Sequence, residues 1–205
     1  MMKPGWMFLV IAALIVFGAS LDQKSHAQAF EQPGALATLD LPMPELAGAP
    51  ADWINTGGRR FVFEPGRVHV VHFWTYGCIN CKRNLPAYGQ WQRKYAKAPL
   101  TVVGVHTPES EKEKDPKNVA QETRKLGITY PVLMDIHAVN WKRWEQQVWP
   151  TVYLVDKRGH VRAYWVGELE WQGAGGTRIM ERLIEELLRE PFSPTPDGDT
   201  NSFGY

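Results

Sequence analysis

"FWTYGCINCKRNLP", residues 73–86, holds both cysteines of the chain, Cys78 and Cys81, two residues apart. Directly before it stands "VHVVHFW", a short run of apolar and β-branched residues of the kind that forms a buried strand. The residues after the first cysteine, Ile79 to about Ala96, read as a helix that Pro86 should kink. A C-x-x-C pair at a strand-to-helix junction can be a redox couple, half of a metal site or an inert clip.

The junction itself argues for redox chemistry. Cys78 sits at the helix N-terminus, where unpaired backbone N–H groups and the helix dipole favour an anion, so its thiol should ionise below the ~8.5 of a free cysteine. Cys78 is then the attacking thiolate. Cys81, one turn later on the inner side, can reach the same sulfur and displace a partner held as a mixed disulfide, which makes it the resolving thiol. A zinc site needs two further ligands, and there is no second C-x-x-C. The histidines available beyond the N-terminal 29 residues are His69, His72, His106, His137 and His160. His69 and His72 differ by an odd number along a strand, point to opposite faces and cannot close a site together with the cysteines. A permanent clip would close too short a loop to stabilise much. No metal and no cofactor is expected.

Working outward, strand and helix patterns alternate. "LTVVGVH" (100–106) is a second buried strand, and "DPKNVAQETRKLG" (115–127) a helix with Asp115 as N-cap, Pro116 in its first turn and Gly127 at its end. "YPVLMD" (130–135) gives a short strand and "HAVNWKRWEQQV" (137–148) a short helix. "TVYLVDKRGHVRAYWVGE" (151–168) reads as two strands around a turn at Lys157–His160. "GGTRIMERLIEELLRE" (175–190) closes as an amphipathic helix with Ile179, Leu183, Leu187, Ile184 and Leu188 on one stripe. The order β-α-β-α-β-α-β-β-α places the chain in the α/β class.

The remaining composition sets limits. A chain of 205 residues with 44% apolar content buries one ordinary core. With 23 basic against 22 acidic residues there is no net field to draw the molecule to nucleic acid. Nine tryptophans are many for this size, and Trp141, Trp144 and Trp149 crowd one stretch, as core or groove packing. Residues 1–29 place one lysine, Lys3, before the apolar run Gly5 to Ala19 and then carry Ala27 and Ala29 in an A-x-A arrangement. This reads as an export signal or an uncleaved N-terminal membrane anchor, the run being shorter than the ~20 residues of a comfortable span. The expected location is periplasmic or otherwise extracytoplasmic, where a cysteine pair can cycle. Residues 30–52 read as a linker or leading segment without strand periodicity, residues 53–190 as the domain, and residues 191–205 as a flexible tail.

"WINT" (53–56), "FWTYGCINC" (73–81), "LP" (85–86), "VVGVHTPE" (102–109), "VWPTVYLVDKRGHVR" (148–162) and "VGE" (166–168) together resemble the thioredoxin superfamily in its TlpA-like branch. Their order and spacing are most similar to the thioredoxin-like domain of DipZ-type thiol-disulfide reductases. The resemblance implies a thioredoxin fold, a central mixed β-sheet flanked by helices, with an inserted strand-helix unit. It implies dithiol-disulfide exchange on protein substrates and, through the likeness to DipZ, a reductase supplied by a separate membrane electron donor, although the Ile79-Asn80 dipeptide leaves the direction of electron flow open; a monomer is expected. It assigns Pro150 to the superfamily's cis-proline and Trp74, Trp149 and Pro150 to a substrate groove. His72 falls where thioredoxin has a buried acid, which implies proton handling there; a neutral, hydrogen-bonded core histidine is the competing reading. Asn84 replaces a glutamate common in the branch, and the dipeptide between the cysteines is Ile79-Asn80. A redox-responsive binding module with little turnover is the alternative to an enzyme.

Overall fold

The structure is a computed structural model that describes residues 34–193. The expected signal or anchor segment, and the tail from residue 194 on, lie outside the described residues. Seven strands form one mixed sheet: β1 (Ala35–Pro42), β2 (Trp53–Ile54), β3 (Val68–Trp74), β4 (Leu100–His106), β5 (Val132–Met134), β6 (Thr151–Val155) and β7 (His160–Val166). Their order across the sheet is β1-β7-β6-β3-β4-β5-β2. Strands β3, β4 and β5 run parallel, and β6, β7 and β1 add antiparallel on one side and β2 on the other. Among the described residues four α-helices connect them: α1 (Ile79–Lys94), α2 (Pro116–Lys125), α3 (Val139–Arg143) and α4 (Gly176–Arg189). The unit α2–β5, between β4 and α3, is the additional strand-helix unit that the resemblance implied.

The central strand is covered on both faces, which is why it reads as a continuous apolar run. All seven residues of β3 are buried. Val68, Val70 and Trp74 enter the core under α1 and α4, whose inward residues include Cys81, Leu85, Tyr88 and Trp91 on α1 and Met180, Ile184 and Leu187 on α4. Ile179, Leu183 and Leu188 flank that stripe, half-buried. Val71 and Phe73 enter a second core with Trp53, Phe63, Trp144 and Tyr153. Asp115 caps α2 by accepting from the Lys117 N–H at 2.9 Å, and Gly127 beyond its end has φ +67°.

Residues 30–52 do not form a plain linker. Ala35–Pro42 is a strand whose partners on β7 run from Val166 to His160, with a register shift between Thr38 and Leu41. Met43 and Leu46 then bury into the second core, so the folded unit begins well before Trp53. The pattern hid this because an edge strand pairs only one side of its backbone and keeps one face in water. Leu36 and Leu41 face solvent, and the shift breaks the two-residue alternation. At the other end Phe192 lies against Gly66.

Candidate active site

Strand β3 ends at Trp74, and the three residues Thr75, Tyr76 and Gly77 turn the chain into α1. Cys78 is the N-cap of that helix, with extended backbone (φ −73°, ψ 115°), and its sulfur accepts the Cys81 N–H at 3.1 Å. Cys78 is half-buried and Cys81 is 1% exposed. The two are joined as a disulfide with their Cα atoms 5.3 Å apart. The spacing puts Cys81 one helical turn on, facing the core, while Cys78 stays at the surface. Ile79, between them, is exposed.

Behind the turn lies a polar cluster that the sequence patterns did not reveal. His106, at the end of β4, is buried, with Nε2 3.3 Å from the Thr75 hydroxyl, and it accepts the Tyr76 N–H at 3.4 Å. Its ring stacks on Tyr76 and meets the edge of Trp74. Burial pushes its pKa down to about 4, against a pull upward from Glu113, so the imidazole is neutral at neutral pH. Glu113, in the 3-10 turn Glu111–Lys114, accepts the Gly77 N–H at 2.8 Å. The signal for His106 was its place at the end of a strand parallel to β3, in register with Trp74.

His72 is fully buried on β3, its Nε2 3.0 Å from the Tyr130 hydroxyl and its ring centroid 4.3 Å from that of Tyr88. Burial pushes its pKa down to about 3. It is therefore a neutral hydrogen-bonded side chain, and the surroundings fit the core-histidine reading better than an exchangeable proton store. Asn84, at the place of the missing glutamate, is a clamp. Its Nδ2 donates to the Gly167 carbonyl at 3.0 Å and to the Tyr88 hydroxyl at 3.3 Å, and its Oδ1 accepts the Leu169 N–H at 2.9 Å. A carboxylate could not supply the two donations.

The Trp149–Pro150 peptide bond is cis. Trp149 is half-buried against the core that also takes Cys78, and its ring lies on that of Trp141. Trp74 requires a correction. Expected in the groove wall, it is 0% exposed, because the strand turns it inward onto α1 and under His106. A side chain without accessible surface cannot line a groove. Among the described residues no group of three or more His, Cys, Asp or Glu is arranged to hold a metal ion.

Comparison with known proteins agrees with this geometry. The AhpC/TSA family profile matches residues 60–164. Protein DipZ of Mycobacterium bovis is 37% identical over 150 residues, covering 72% of this chain and 21% of that protein; the chain thus spans about a fifth of the DipZ length. The thiol-disulfide oxidoreductase YkuV of Bacillus subtilis is 30% identical over 149 residues, 73% of this chain and 95% of that protein. A solution structure of a thioredoxin-like protein in its oxidised form superposes with a TM-score of 0.60 at 28% identity, over 73% of this chain and 95% of that one. With a half-exposed N-cap cysteine, a buried partner one turn on and these relatives, the chain belongs to the thiol-disulfide oxidoreductases of the AhpC/TSA family, in the TlpA-like branch of the thioredoxin superfamily.

Proposed function

We propose that this domain is an exported reductase of protein disulfides, cycling Cys78 and Cys81 between dithiol and disulfide. The observation that carries the reading is the asymmetry of the pair: Cys78 half-exposed at the N-terminus of a 16-residue helix, Cys81 shielded but within reach of the same sulfur. The Cys78 thiolate attacks one sulfur of a substrate disulfide, and the other sulfur leaves as a thiolate. Cys81 loses its proton to water and attacks the Cys78 sulfur, and the second substrate thiolate departs. The substrate gains two electrons and takes two protons from solvent, and the domain is left as the Cys78–Cys81 disulfide. A membrane-held dithiol restores the reduced form.

The export and donor parts of the proposal rest on the apolar run Gly5 to Ala19 and on the likeness to DipZ. The half-buried Trp149 and the backbone beside Pro150, whose ring is itself buried, form the groove that receives an extended substrate segment beside the sulfurs. Turnover of insulin disulfides by the dithiothreitol-reduced protein tests the reading. Catalytic reduction is the expected result; stoichiometric binding without turnover would instead make the domain a redox-responsive binding module.

A further inference from the structure

The carboxylate of Glu113 is tied to the loop that carries Cys78, from a turn 36 residues away in sequence. It is 3% exposed, and its oxygens take three backbone N–H groups: Gly77 at 2.8 Å on Oε1, Glu109 at 2.7 Å and Ser110 at 2.9 Å on Oε2. A side chain at residue 77 would run into Oε1, so the glycine there serves this close approach. The same turn holds the loop a second time, since the Tyr76 hydroxyl donates to the Lys112 carbonyl at 2.9 Å.

Burial alone would raise the pKa of this carboxyl. The N–H groups of Glu109, Ser110 and Gly77 and the Thr75 hydroxyl overcome that and hold it below the ordinary range, so it is ionised at neutral pH. No lysine or arginine of the described residues pairs with it. The titratable groups that face it are His106, neutral at that pH, and the Tyr76 phenol, whose pKa is raised by its own burial and then by Glu113. A fixed and uncompensated negative charge therefore stands one residue from Cys78.

The geometry points to Glu113 as a positioning residue that holds the 75–77 loop and, through its charge, sets the reduction potential of the Cys78–Cys81 pair. Reduction adds two electrons and one proton to the disulfide, leaving Cys78 as thiolate and Cys81 as thiol. The new anion forms beside the Glu113 carboxylate. That repulsion opposes the helix N-terminus, disfavours the reduced state and makes the pair a stronger reductant than its helix-cap geometry alone would give. The inference deepens the exchange reading above but needs only that the pair be a reversible couple, so its test does not depend on turnover.

The test is the equilibrium constant of the full protein with glutathione, together with the pH dependence of Cys78 alkylation. Glu113→Gln removes the charge, and Gly77→Ala displaces the carboxylate while leaving it in the chain. Both variants should shift the constant toward the dithiol by about tenfold, close to ~30 mV for a two-electron couple, and alkylate with a lower apparent pKa. Wild-type constants and alkylation profiles in the folded variants, with only thermal stability reduced, would overturn the inference and leave Glu113 as a brace. Should one variant fail to fold, the other decides. Insulin turnover is scored separately, so absent turnover with a shifted constant would count against the reductase reading alone.

Discussion

The rings of Trp141 and Trp149 lie 4.0 Å apart between centroids, inclined by 33°, so the residue before the cis-proline is backed by a second indole. Trp141 is held there by its own helix. The Asp135 carboxylate accepts the N–H groups of Asn140 and Trp141 at 2.9 and 2.8 Å and the Thr107 hydroxyl at 3.1 Å. Such a stack is worth ~0.5–1.5 kcal/mol beyond the area it buries, enough to fix the Trp149 rotamer.

If Trp149 shields the sulfurs, Trp149→Ala should speed reduction of the disulfide by dithiothreitol several-fold and slow exchange with a protein substrate. Trp141→Ala should act in the same direction but less, because it frees the Trp149 ring without removing it. Stopped-flow fluorescence of the two variants against the wild type measures both effects. Equal dithiothreitol rates would place Trp149 in the core packing and the groove elsewhere.

Asn84 joins α1 to the Gly167–Leu169 segment by two hydrogen bonds in a buried site and donates a third to Tyr88 on its own helix. Asn84→Ala leaves the Gly167 carbonyl and the Leu169 N–H without partners, at a cost of ~2–4 kcal/mol. Asn84→Glu, which restores the branch's acid, can donate to neither acceptor and should be at least as unstable. Urea unfolding of both variants checks this. An Asn84→Glu protein with wild-type stability would show that the clamp is dispensable.

The fold and the redox pair were legible because each has a local cause. Buried strands announce themselves as apolar runs, and Cys78 and Cys81 are the only cysteines. Strand β1 was illegible because an edge strand with a register shift carries no clean period. Trp74 was misplaced because adjacency to a cysteine in sequence does not decide which face of the strand a ring takes. Glu113 and His106 were unseen for a different reason. They reach the active-site loop only after β4 pairs with β3, and nothing in "HTPESEKEK" marks which of its charged residues turns inward.

The asymmetry of the pair has a direct consequence in single-cysteine variants. In the reduced protein, Cys81→Ser should keep fast alkylation at Cys78 and accumulate mixed disulfides when mixed with an oxidised protein substrate. Cys78→Ser should lose about tenfold or more of the alkylation rate at neutral pH, since the remaining thiol is shielded and off the helix N-terminus. Mass spectrometry of iodoacetamide time courses reads both. The reverse pattern would exchange the roles of attacker and resolver.

Three histidines are buried in the neutral state, and together they set an acid limit on the fold. Burial, first among the causes, pushes His69 and His72 down to about 3 and His106 to about 4. In the unfolded chain each titrates near ~6.5. Above that pH neither state binds the proton, and these groups give no pH dependence. Below it the unfolded chain binds protons that the native protein refuses, so stability is lost as pH falls from ~6.5 toward ~4. The slope is up to ~1.4 kcal/mol per pH unit for each histidine. The carboxylates whose pKa values are lowered, Asp40, Glu113, Glu122, Asp156 and Glu185, act in the same direction but only near and below the ordinary carboxylate range, so the interval from pH 7 to pH 5 isolates the histidines. His69 offers the cleanest control, because its ring sits 4.8 Å from that of Phe63 and 6.1 Å from that of Phe61, an apolar setting that leucine can fill. Urea unfolding of the oxidised protein at pH 7, 6 and 5 should show a steep loss of stability in wild type and a slope about one third smaller in His69→Leu. His72→Leu should show the same reduced slope but start lower at pH 7, having lost the bond to Tyr130, with the pH profile of disulfide exchange unchanged. Parallel slopes in all three proteins would mean that the buried histidines accept protons without unfolding. A displaced exchange profile in His72→Leu would restore that residue to a part in the chemistry of the cysteines.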